Sequence, residues 1–177
     1  MMPNTDVKEI LKKNGFRFDK RYGQNFLTDE TLLKTLVEKT GVGKDDTVIE
    51  IGVGAGTLTA ALSDAAKRVI GFEIDRRLQP VLAETLKGRD NVEIVFADVM
   101  KIPTEEIVKR AGGRFGVVAN LPYYITTPVL MKFLEDCAFV DLIAVTVQEE
   151  VADRICAKPS SADYGALTLA VDFRGHA

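Results

Sequence analysis

The stretch VIEIGVGAGTLT, residues 48–59, passes from an apolar run through three alternating glycines into the opening of a helical pattern. Glycines at 52, 54 and 56 let a buried strand turn sharply into a helix, and they let a ligand approach the backbone with no Cβ in the way. A nucleotide-type cofactor suits such a loop. The spacing is GxGxG, whereas the dinucleotide fingerprint GxGxxG needs its third glycine where Thr57 stands, which weighs against NAD or FAD.

Around this loop, strand-like runs recur: TVIEIG (47–52), RVIGFEI (68–74), VEIVFA (92–97), FGVVAN (115–120), DLIAVTV (141–147) and ALTLAVDF (166–173). Between them, segments 28–39, 57–66, 76–87, 104–110, 127–136 and 148–157 space their apolar residues at three to four, the helical period. This alternation predicts an α/β fold with a mostly parallel sheet and helices on both faces. AKPSSADYG (157–165) is long enough to join a helix to a final strand over 166–173. No repeat or low-complexity tract interrupts the chain. The organisation expected is a basic, aromatic arm over 1–27 and a catalytic domain over 28–177.

The chain has 177 residues, 46% hydrophobic and 28% charged, which suits one globular domain with a sizeable core. No apolar run reaches membrane-spanning length and the start, MMPNTDVKEILKKNG, lacks a secretory signal, so a cytoplasmic protein is expected. Cys137 and Cys156 form no CxxC, and the one histidine is His176 beside the terminus, so neither a metal site nor histidine acid–base chemistry is expected. The net charge of −3 argues against indiscriminate coating of nucleic acid. Its distribution is uneven. Lys8, Lys12, Lys13, Arg17, Lys20 and Arg21 outnumber Asp6, Glu9 and Asp19, with Phe16, Phe18, Tyr22 and Phe26 interleaved. That arm is either a solvated segment or a surface that meets phosphates and bases together.

Glu50, Glu73 and Asp98 stand at the ends of three successive strands, Glu73 lying 21 residues beyond Gly52. Acids after strands commonly cap helices. Three of them around a glycine loop, at the sheet edge where open α/β folds bind ligands, point instead to a ribose held by Glu73 and an adenine amine held by Asp98. The fourth strand leaves through NLPYYITTP (120–128), where Pro122 and Pro128 punctuate a turn and Thr126 or Thr127 offers a helix cap.

This pattern resembles the Rossmann-like S-adenosylmethionine-dependent methyltransferases, in which a turn such as NLPY holds a planar amino group for methylation. The lone pair of an adenine N6 is delocalised into its ring. Acceptors on its two hydrogens, the Asn120 side-chain oxygen and the Leu121 carbonyl, let that nitrogen pyramidalise toward a methyl donor. Pro122 stiffens the turn and Tyr123 offers a ring for the base to stack on. Alignment then supplies most of the acceleration, on a scale of roughly 7–11 kcal/mol.

KRYGQNFL (20–27), VIEIGVGAGTLT (48–59), FEID (72–75), AD (97–98), NLPYYITTP (120–128), and QEEVADRI followed by DYGALTLAV (148–171) together resemble the ribosomal RNA adenine dimethyltransferases. The resemblance implies S-adenosyl-L-methionine as cofactor, with contacts at Asn25, Leu27, Gly52, Gly54, Glu73, Asp98 and Asn120, and catalytic roles for Asn120, Leu121, Pro122 and Tyr123. Gln24 belongs to the same wall, and Tyr124 to the rim of the base pocket. It further implies transfer to N6 of two adjacent adenosines in the 3′-terminal hairpin of small-subunit (16S) rRNA, during assembly of that subunit, by a monomer. The family's helical C-terminal domain and its Phe-x-Pro-x-Pro segment do not occur in the chain, so a weakly active or inactive catalytic domain is expected. A macrolide-resistance branch that methylates large-subunit rRNA more often reads Asn-Ile-Pro-Tyr, and Leu121 favours the small-subunit branch. A non-catalytic rRNA-binding assembly factor and a small-molecule methyltransferase are the other readings of the same residues.

Overall fold

The computed structural model describes residues 7–16, 27, 29–136, 138–175 and 177. Asn25, Gln24 and most of the aromatic and basic arm over 17–26, with Cys137 and His176, lie outside the described residues.

Two helices, α1 (Val7–Lys13) and α2 (Glu30–Thr40), precede β1 (Thr47–Ile51). Strand and helix then alternate through α3 (Thr57–Ala65), β2 (Arg68–Glu73), α4 (Gln79–Thr85), β3 (Val92–Phe96), α5 (Thr104–Ala111), β4 (Phe115–Asn120), α6 (Tyr123–Asp136) and β5 (Val140–Thr146). Two further helices, α7 (Glu149–Ile155) and α8 (Ala166–Arg174), follow. All strand pairs are parallel, in the order β3-β2-β1-β4-β5. The chain builds outward from β1 in one direction and then, at β4, in the other. That reversal opens a crevice at the carboxyl ends of β1 and β4.

Side chains alternate across the sheet, so β1 feeds two cores. Ile49 and Ile51 pack with Ile70, Phe72, Val117 and Phe133 on one face. Val48 packs on the other with Leu33, Val37, Leu58 and Leu62. Glu50 has the parity of Val48 and is fully buried, so one carboxyl lies among the buried apolar residues of the central strand. A third cluster joins Ile10 and Leu11 of α1 to Val53 and Ala55 of the glycine loop and to Leu78, Val81 and Leu82 around α4. Lys13 bridges to Glu84 at 2.9 Å, and the Arg77 guanidinium lies 5.6 Å from the Phe16 ring centre. Residues 7–16 are thus packed on the body.

Two local expectations are corrected. Residues 166–173 form helix α8 and not a sixth strand, so the sheet has five strands among the described residues. ALTLAVDF is short and apolar enough to suit either period, and tertiary contacts arbitrate. Thr168 Oγ1 accepts from the Gly165 amide and donates to the Arg154 carbonyl at 2.6 Å, tying the start of α8 to α7. The helix after NLPY begins at Tyr123, earlier than expected, and carries Pro128 in its interior. Neither threonine caps it: the Thr126 hydroxyl donates back to the Pro122 carbonyl at 3.2 Å.

Candidate functional site

A cleft of about 580 Å³ opens at the carboxyl edge of the sheet, lined by the residues that end or follow all five strands. Leu27, Gly52, Gly54, Glu73, Asp98 and Asn120 all line it, as do Leu121, Pro122, Tyr123 and Tyr124. Every described residue that the sequence nominated is therefore on one surface.

The glycine loop is pinned to β2 at both levels of structure. The Gly52 amide donates to the Phe72 carbonyl at 2.9 Å, and the Gly54 amide donates to Glu73 Oε2 at 2.8 Å. Gly52 stands at φ +77°, in the left-handed region that disfavours other residues. Gly56 serves a different end: a Cβ there would sit 2.9 Å from Leu82 Cδ2, so this glycine lets α3 start hard against α4. The Thr57 hydroxyl donates to the Leu27 carbonyl at 2.6 Å, which fixes the described end of the GQNFL segment beside the loop.

The three acids differ in state. Glu73 is buried, and its second oxygen accepts from the Asp75 amide at 2.8 Å. Burial raises its pKa, and the amides of Asp75 and Gly54 oppose that shift. Asp98 is the most open of the three. Its Oδ1 caps the short turn Val99–Lys101 through the Met100 amide at 3.0 Å, so it is a cap and a cleft residue at once. Glu50 is the most perturbed: burial, with the nearby Glu73 adding to it, pushes its pKa up to about 8. Neither Glu50 oxygen nor Thr59 Oγ1 has a hydrogen-bond partner among the described residues. At neutral pH Glu50 is accordingly a neutral acid beneath the glycine loop.

The opposite wall is built from NLPYY. Asn120 ends β4, and its side-chain oxygen accepts from the Thr146 hydroxyl at 2.6 Å. Leu121 turns into the core, within 3.6 Å of where a Gly52 side chain would be. Tyr123 and Tyr124 stand 64% and 65% exposed at the start of α6, an aromatic ledge facing solvent. Sequence reasoning passed over Thr146. The rule that singled out strand-end acids, extended to a strand-end hydroxyl after DLIAV, finds it.

The profile of the ribosomal RNA adenine dimethylase family matches residues 15–174. The ribosomal RNA small subunit methyltransferase A of Enterococcus faecalis is 50% identical over 170 residues, which are 94% of this chain and 58% of that protein. Among solved structures, a dimethyladenosine transferase from Plasmodium falciparum is 29% identical with a TM-score of 0.69, over 84% of this chain and 52% of that one. The 23S rRNA methyltransferase ErmE is 32% identical with a TM-score of 0.66, over 75% and 51%. The chain thus spans 58% of the length of that curated relative.

Proposed function

The chain belongs to the ribosomal RNA adenine dimethylase family, and on that premise we propose that it transfers methyl groups from S-adenosylmethionine to N6 of two adjacent adenosines in the 3′-terminal hairpin of small-subunit rRNA. One observation carries the reading. A nucleoside-sized cleft has acids on one wall and an amide with an open aromatic ledge on the other. The small-subunit target is favoured because identity is 50% to the small-subunit methyltransferase of E. faecalis and 32% to the 23S enzyme. The work belongs to the cytoplasm, on the assembling subunit. No helix among the described residues is long and apolar enough to cross a membrane.

The donor set fits the cofactor. Glu73 accepts from the backbone through each of its oxygens and turns its remaining acceptor capacity to ribose hydroxyls. Asp98 offers an acceptor to an adenine amine, Gly52 and Gly54 allow close approach of the backbone, and Leu27 closes the side. The carboxyls of Glu73 and Asp98 suit a cationic ligand. When bound, S-adenosylmethionine supplies a methyl group on a positively charged sulfur.

The chain's own residues then prepare the nitrogen. Asn120 Oδ1 and the Leu121 carbonyl accept the two N6 hydrogens, turning the lone pair out of the ring plane and toward the cleft floor. Pro122 stiffens the turn, and Tyr123 supports the face of the base. No strong base is needed, because the nitrogen becomes acidic once methylated and its proton passes to these acceptors and then to water. A second transfer repeats the step with one N6 hydrogen left to hold.

The test is methyl transfer from labelled cofactor to unmethylated small subunits and, in parallel, to unmethylated large subunits, with the modified nucleotides identified by mass spectrometry. Dimethyladenosine at two neighbouring positions is the expected product. Label confined to large-subunit RNA would redirect the reading to the macrolide-resistance branch. Binding to subunits with no label in either would leave an assembly factor.

A further inference from the structure

We propose that Thr146 is a positioning residue for the base pocket, its hydroxyl tethering the carboxamide of Asn120. The consequence for catalysis rests on the function proposed above, whereas the tether itself does not. Asn120 and Thr146 are the terminal residues of β4 and β5 and are directly paired in the parallel register. The two side chains therefore leave the sheet side by side, and both line the cleft. Thr146 Oγ1 donates to Asn120 Oδ1 at 2.6 Å, a short bond for two neutral groups.

An asparagine amide turns easily about its last side-chain bond, because that torsion has broad, shallow wells. An acceptor that must receive an N6 hydrogen gains nothing from proximity if it swings. Threonine is stiff at its own first torsion, since its Cβ is branched, so a hydroxyl carried on the end of a paired strand is a fixed post. The amide oxygen has two lone pairs. Thr146 takes one of them. Strand pairing thereby helps to set the orientation of the group proposed to do the chemistry.

The experiment combines the side-chain amide resonances of Asn120 with single-turnover rates, in the parent, Thr146→Val and Thr146→Ser. An Asn120→Asp variant identifies those resonances by their disappearance. Valine preserves shape and removes the hydroxyl, so the Asn120 amide signals should shift. The transfer rate should fall roughly five- to tenfold, the scale of one neutral hydrogen bond, while cofactor affinity and the Michaelis constant for RNA stay put. Serine should recover the signals and most of the rate. Thr146→Ala must behave as valine does, which guards against a folding defect particular to one substitution. Unmoved Asn120 signals in both the valine and alanine variants would overturn the tether, as would a serine variant no better than valine. A parent that methylates no RNA defeats the proposed function instead, and the resonances still decide the tether.

Discussion

The two walls of the cleft are built on opposite physical principles. On the wall formed by β2 and β3, carboxylates are answered by backbone: Glu73 accepts from Gly54 and Asp75, and Asp98 from Met100. On the wall formed by β4 and β5, one side chain is held by another, Asn120 by Thr146, and two tyrosines lie open to solvent. Under the proposed function, a small ligand that is enclosed would meet prearranged backbone, and a base that swings in from RNA would meet an exposed ledge. The difference teaches where substitutions should act: on affinity for the cofactor at the first wall, on turnover at the second.

The sharpest way to break that division is Asn120→Ala. Its acceptor gains strength as the nitrogen becomes an ammonium, so single-turnover transfer should drop on the order of a hundredfold or more while calorimetric cofactor affinity changes little. Equal losses in both would put Asn120 on the first wall as well.

Glu50 tests β1, between the two walls, through pH. Its folded pKa of about 8 lies above the ordinary carboxylate value, so between roughly pH 4.5 and 8 the folded protein keeps a proton that the unfolded chain has lost. Stability therefore declines as pH rises across that window, by on the order of a few kcal/mol, and levels off above it. Glu73, also raised, adds a decline of the same sign. Denaturant unfolding of Glu50→Gln at several pH values should give a visibly flatter profile. A slope as steep as the parent's would show that Glu50 ionises normally in the folded state.

Glu73→Ala should weaken cofactor binding by about 1.5–3 kcal/mol, the range for hydrogen bonds to a charged group, measured by calorimetry beside a thermal melt to separate loop loosening. Undiminished affinity would remove Glu73 from the ribose. The smallest effect belongs to the ledge: Tyr123→Ala should cost about 1–3 kcal/mol of base stacking, read as weaker RNA binding and slower transfer, and Tyr123→Phe should cost little. A phenylalanine variant as impaired as alanine would reveal a role for the hydroxyl.

Much of this was legible along the chain. The strand, glycine loop and helix of residues 48–59 are where the reading placed them, and the acids at strand ends do face one cleft. Local signals suffice there, because a turn needs its own glycines and a buried strand its own apolar run. The reading failed at ALTLAVDF, where one octapeptide satisfies both the strand and the helix period and the bond from Thr168 to the Arg154 carbonyl settles the matter. It failed also at Thr126 and Thr127, since α6 starts at Tyr123 and accommodates Pro128 a turn later.

Residue order along the chain was thus enough for the kinds of group the site contains: glycines, acids, an amide and two aromatics, each following a strand. Their meeting was not legible there. The β3-β2-β1-β4-β5 order brings Gly52 against Leu121, and the β4–β5 register brings Thr146 to Asn120. Burial of Glu50 under the loop likewise depends on α3 closing over that face of the sheet. Turns and periods arise from neighbours in sequence, whereas register, burial and the pKa of an enclosed acid arise from which distant segments pack together.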